Sequence, residues 1–130
     1  MPKPDPLIRI YSVKEIFNLK QINLDDLVLK YRTGPKVYVG LKDLVYDVSK
    51  NEVYKEGGGY HAFAGRDASV ALAKMNFLEE NFDHSLHHWS VSLSESETKV
   101  LEEWVVFFNK RYQVVARLPS YRKISDGKFE

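Results

Sequence analysis

The order of apolar and polar positions lays out a series of short elements. Leu7-Ile8-Arg9-Ile10-Tyr11 alternates as a short strand does, and Ser12-Val13-Lys14-Glu15 reads as a capping box opening a helix to about Leu19. A second helix is expected from Asn23, with Asp25 and Asp26 opposing the dipole in its first turn, and it stops near Tyr31 before Arg32-Thr33-Gly34-Pro35. The β-branched and aromatic runs Lys36–Gly40 and Leu44–Val48, separated by Leu41-Lys42-Asp43, read as a hairpin. Gly57-Gly58-Gly59 cannot sit inside a helix or strand, so the chain there is a loop in which backbone approaches something closely. Asp67 is expected to cap a helix to about Met75, with Ala68, Ala71, Leu72 and Met75 on its apolar face. Residues 76–93 are mixed. Ser94-Glu95-Ser96-Glu97 is a capping box for the longest helix, about 95–110, whose stripe is Leu101, Trp104, Val105 and Phe108. Tyr112–Leu118 resumes as a strand. The sum is one α+β domain, without internal repeats.

Composition narrows what such a domain does. A chain of 130 residues with 44% hydrophobic and 28% charged positions can bury a core without a metal or disulfide staple. Nineteen basic and eighteen acidic residues give a net charge of +1. The lysines are dispersed, so nucleic acid is not an expected partner. With no cysteine there is no disulfide, thiolate zinc site, iron–sulfur cluster or cysteine nucleophile. The longest strongly apolar run, Trp104–Phe108, falls far short of the ~18 residues of a membrane span. The proline-punctuated start, Met1-Pro2-Lys3-Pro4-Asp5-Pro6, is not a signal peptide. The expected location is the cytoplasm or the cytoplasmic face of endomembranes. There is no Gly-x-Ser-x-Gly elbow, phosphate loop or dinucleotide fingerprint, so no enzymatic activity is expected.

Three stretches stand together: Val45-Tyr46-Asp47-Val48-Ser49 leading to Tyr54, then Gly57-Gly58-Gly59-Tyr60 and Phe63-Ala64-Gly65-Arg66-Asp67-Ala68-Ser69, then Asn109-Lys110-Arg111-Tyr112. With Ile22–Leu27 before them, they resemble the membrane-associated progesterone receptor (MAPR) family, a branch of the cytochrome b5-like haem/steroid-binding domains. The resemblance covers about residues 22–118, leaving 1–21 as an arm with a short strand and helix and 119–130 as a polar tail. It implies a cytochrome b5-like fold: a small mixed sheet, with short paired helices forming a haem pocket. The His-Pro-Gly-Gly ligand motif of cytochrome b5 itself is absent.

What the resemblance implies is a non-catalytic module binding haem b through a tyrosine. Tyr60 falls on the axial iron ligand, Tyr54 on a tyrosine contacting a haem propionate, Tyr112 on the tyrosine that supports the ligand by hydrogen bonding, and Arg111 on a lysine paired with a propionate. A ferric ion displaces the phenol proton, and the resulting anion favours ferric over ferrous iron. The implied roles are haem carrier or accessory to a haem enzyme such as a cytochrome P450, with a haem-mediated dimer as a further option. The alternative is a haem-free lipid- or steroid-binding or protein-interaction domain of the same fold. The chain departs from the family in lacking a proline in the glycine loop, in being one residue shorter before Tyr54, and in carrying arginine at 111. On spacing alone, Tyr60 is an ordinary half-buried loop tyrosine, Tyr54 and Tyr112 suit strand-edge packing, and Arg111 suits a helix C-terminus. Leu101, Trp104, Val105 and Phe108 read as core. His84 and His88, four apart with His87 beside them, could chelate a metal, and His61 or His84 could be a sixth iron ligand.

Overall fold

The computed structural model describes residues 13–83 and 88–121. Helix α1 (Val13–Asn18) and helix α2 (Leu24–Lys30) come first. The Asn23 side chain accepts the Asp26 N–H at 2.8 Å, pairing a donor that the first helical turn leaves free. The strand expected over Leu7–Tyr11 lies outside the described residues.

Strands β1 (Tyr38–Leu41) and β2 (Leu44–Asp47) form the expected hairpin. Its turn is tighter than the sequence suggests. Leu41 stays in the strand, and Lys42 and Asp43 alone reverse the chain, both at positive φ (52° and 65°). That handedness matches the twist of the flanking strands. Strand β3 (Gln113–Arg117) pairs antiparallel with β2, giving the order β1-β2-β3. The sheet is antiparallel throughout, and the parallel pairings beside it, Gln21 to Arg117 and Gly40 to Asp67, are isolated bridges.

The sheet separates two apolar clusters. Val39, Leu41, Tyr46 and Val114 face the larger one, with the helices that follow. Tyr38, Val45 and Ala116 face the smaller one, closed by Ile22 and Leu27. Val114 and Ala116 share a strand parity yet point to opposite faces. The cause is a bulge: Tyr46 pairs with Val114 but Val45 with Ala116, so Val115 is an extra residue that switches the phase of β3.

Helix α3 (Ser69–Lys74), helix α4 (Trp89–Ser92) and helix α5 (Glu95–Arg111) cover the larger cluster, α3 packing on α5. Asp67 stands one residue before the cap position of α3, which is Ala68. The segment from Arg66 to Ala68 hydrogen-bonds alongside Gly40, so the helix begins only at Ser69. Asp67 still serves that end, accepting the Ser69 N–H at 3.1 Å and the Ser69 hydroxyl at 2.7 Å. The Ser69 oxygen accepts the Lys42 N–H at 2.7 Å, which ties the hairpin turn to α3. Helix α5 opens with the capping box expected at Ser94 and Glu97 and buries Leu101 and Phe108. Among the described residues no helix is long and apolar enough to cross a membrane.

Candidate functional site

The glycine loop is shaped by its own backbone. A single 3₁₀ turn, Glu52–Tyr54, is capped by Asn51, whose side-chain oxygen accepts the Val53 N–H at 3.2 Å. The chain then doubles back until the Tyr60 N–H donates to the Val53 carbonyl at 2.8 Å. A methyl group at Gly58 would lie 2.6 Å from the Glu52 carbonyl oxygen and closer still to that of Val53, so only glycine fits. Gly57 turns the chain at φ +87°, and Gly59 faces open space. The loop therefore needs glycine at 58 for its own closure, and leaves open space beside Gly57 and Gly59.

This fold sets Tyr60 beside Tyr54, their ring centroids 5.9 Å apart, at the mouth of an aromatic cleft. Its walls come from Tyr54 and Phe63 on one side, Leu72 and Met75 of α3, Phe77 beyond it, and Trp104 and Phe108 of α5; the cavity is about 110 Å³. Phe108 is the hub, edge-on to Tyr46, Tyr54 and Tyr112. Trp104 and Phe108, expected as core, line the cleft as well. Phe63, Leu72, Met75 and Phe77 were not singled out from sequence as site residues. Phe77 lies in a stretch with no clear period, and Phe63 looks like any other core aromatic until the loop closes.

The two tyrosines differ sharply. Tyr54 is 4% exposed and Tyr60 is 50% exposed. Burial, with the Tyr112 hydroxyl beside it, raises the Tyr54 pKa well above the ordinary tyrosine value, so it stays a neutral phenol. Tyr60 is the accessible member: among the described residues its hydroxyl has no hydrogen-bond partner. Tyr112 takes a hydrogen bond from the Asn51 amide at 2.8 Å and packs edge-on to Tyr54 at 6.0 Å. Arg111 stacks on Phe107, its guanidinium carbon 3.8 Å from the ring centroid. It borders an adjoining polar cleft with Lys50, Asn51 and Tyr112, not the aromatic one. Tyr54 and Tyr60 thus line the aromatic cleft and Arg111 and Tyr112 the polar one with Asn51, the edge-on pair of Tyr54 and Tyr112 standing between the two.

The histidines divide. His61 donates its Nδ1–H to the Tyr54 carbonyl, 3.0 Å away. His88 caps α4 and sets its Nε2 3.1 Å from Asp43 Oδ1 in the hairpin turn. His84 and His87 lie outside the described residues. Among the described residues no three His, Cys, Asp or Glu side chains gather as a metal site.

The donor set fits a haem. An unpartnered phenol able to become an anionic ligand stands at an aromatic wall suited to a flat apolar macrocycle, with Arg111 nearby to pair with a carboxylate.

The comparisons with known proteins agree with this architecture. A solved Arabidopsis thaliana structure, described as having a cytochrome b5-like fold, aligns over its whole length and over 85% of this chain, at a TM-score of 0.67 and 33% identity. The fold is therefore that of a cytochrome b5-like domain. The chain is 41% identical over 85 residues to probable steroid-binding protein 3 of Arabidopsis thaliana, spanning 65% of this chain and 81% of that one. It is 39% identical over 103 residues to the cytochrome P450 regulator dap1 of Schizosaccharomyces pombe, covering 73% of this chain and 61% of that one. Other relatives carry the names neuferricin and membrane-associated progesterone-binding protein; of a nematode neuferricin homologue the chain spans only 33%. No family model matches the chain. The chain belongs to the membrane-associated progesterone receptor family.

Proposed function

We propose that this domain is a non-catalytic haem-binding module in which the Tyr60 phenolate ligates ferric iron. The observation that carries the reading is the exposed Tyr60 hydroxyl, unpartnered among the described residues, at the mouth of the aromatic cleft. Bound haem supplies the iron whose charge displaces the phenol proton. The chain's own groups do the rest. Tyr60 offers the oxygen, and Phe63, Phe77 and Trp104 offer apolar contact to a ring face. Arg111 offers a cation to a carboxylate, and neutral Tyr54 brings no competing charge into the cleft. The dap1 relative's name supports a role beside a cytochrome P450.

A lipid or steroid is the second reading, favoured by the apolar lining and by relatives named for steroid binding. The cavity of about 110 Å³ argues against it as the enclosed ligand, because pockets that engulf a drug-sized molecule have on the order of 300–1,000 Å³. A flat ligand seated across the mouth needs less enclosed volume.

Titration with ferric haem and, separately, with a fluorescent sterol tests the two readings. Tyrosinate ligation gives a high-spin ferric spectrum with a phenolate-to-iron charge-transfer band. A low-spin spectrum, or saturable binding of sterol alone, overturns the proposal.

A further inference from the structure

The orientation of one amide sets the direction of a chain of hydroxyls. The Val53 N–H can only donate, so the Asn51 atom 3.2 Å from it is the carbonyl oxygen. The other arm of that amide is then the NH2 group, 2.8 Å from the Tyr112 hydroxyl oxygen. Tyr54 is 4% exposed, its ring stands edge-on to that of Tyr112 at 6.0 Å, and Tyr112 is among the causes that raise its pKa. A buried phenol must place its hydrogen on an acceptor. A phenol oxygen has two lone pairs and one hydrogen. With one lone pair taken by the Asn51 NH2 group and the buried Tyr54 phenol packed against its ring, Tyr112 is set to offer its own hydrogen.

We propose that Asn51 sets Tyr112 as a hydrogen-bond donor to an anionic oxygen at the ligand site, either the Tyr60 phenolate or a haem carboxylate. The proposal rests on the haem reading above and adds Asn51 to it as a positioning residue. Asn51 touches no ligand. It acts by closing one side of the Tyr112 oxygen, so that the hydroxyl meets negative charge with its hydrogen and never with a lone pair. Arg111, next in the chain to Tyr112, borders the same polar cleft and adds positive charge there.

Asn51→Asp tests this with little change of shape. One carboxylate oxygen still caps Val53, while the other accepts the Tyr112 hydrogen and turns the donor away from the site. Ferric haem affinity should fall by about 10-fold or more, the scale seen when a partner of a ligating group is lost. The charge-transfer band or the carboxylate contact should change with it, and the thermal midpoint should hardly move. In a Tyr112→Phe background the same substitution should cost nothing further. Ferric haem dimethyl ester separates the two oxygens. A penalty that persists assigns the donor to Tyr60, and one that vanishes assigns it to the carboxylate. Wild-type affinity for Asn51→Asp, or an equal loss in the Tyr112→Phe background, overturns the proposal.

A second measurement needs no haem. In 15N-labelled apoprotein the Asn51 side-chain amide resonances should shift on Tyr112→Phe, and no shift would contradict the hydrogen bond on which the proposal stands. Failure of the haem reading itself shows differently, as a Tyr60→Phe protein that binds haem normally. The amide measurement then still decides the direction of the chain, as it does if the aspartate variant does not fold.

Discussion

At the scale of single residues, adjacent glycines carry unequal demands. Gly58 sits against the Glu52 and Val53 carbonyls, whereas a side chain at Gly59 meets nothing within 4 Å. Gly58→Ala should therefore cost on the order of 1–3 kcal/mol and lower the thermal midpoint by several degrees, as close overpacking does. Gly59→Ala should leave the midpoint within about a degree, at the ±0.5 kcal/mol scale of surface changes. Differential scanning calorimetry of the two variants decides this, and equal losses would mean the loop closure is misread. The same contrast marks a limit of sequence reading. The triple glycine announces close approach, but which glycine is pressed, and against what, depends on how the chain doubles back over the Glu52–Tyr54 turn.

Among the elements, α5 links stability to the site, because it carries Trp104 and Phe108 into the cleft and delivers Arg111 and Tyr112 at its end. Its N-terminus is held by the Ser94 side chain on the Glu97 N–H at 3.2 Å, with Glu97 returning to the Ser94 N–H at 2.8 Å. Ser94→Ala should lower stability by about 1 kcal/mol and leave the ferric haem spectrum unchanged. Chemical denaturation and absorbance measured on the same variant would check both halves. Elements of this kind were legible: α2, the hairpin, α5 and β3 all follow from caps, alternation and a helical stripe. What sequence could not supply was phase and register. The bulge at Val115 flips the face of β3, and the start of α3 is delayed because the Asp67 segment first pairs beside Gly40. Both depend on neighbours distant in the chain. The tyrosines and Arg111 of the candidate site were singled out through resemblance. Asn51 and Phe77 were not, since an asparagine after a strand and a phenylalanine in an irregular stretch carry no period.

For the whole molecule, buried phenols tie stability to high pH. Tyr54 is raised by burial and by its tyrosine neighbours, and Tyr121 is raised to about 12 by burial and Asp43. An unfolded tyrosine releases its proton near 10. Above that pH the unfolded chain has lost protons that the folded one keeps, so stability is full below about pH 10 and falls as pH rises toward the folded values. Thermal unfolding followed from about pH 9 to about pH 11.5 should show this decline, and Tyr54→Phe should flatten it; an unchanged slope would contradict the burial assigned to Tyr54. The central claim, however, rests on the one tyrosine that is exposed. Tyr60→Phe removes a single oxygen and leaves the ring in the cleft mouth. Titrated with ferric haem beside the wild type and His61→Ala, it should lose most of its affinity and all of the charge-transfer band. His61→Ala should keep both, and all three proteins should unfold at nearly the same temperature. Normal haem binding by Tyr60→Phe, with loss in His61→Ala, would contradict the account at its centre.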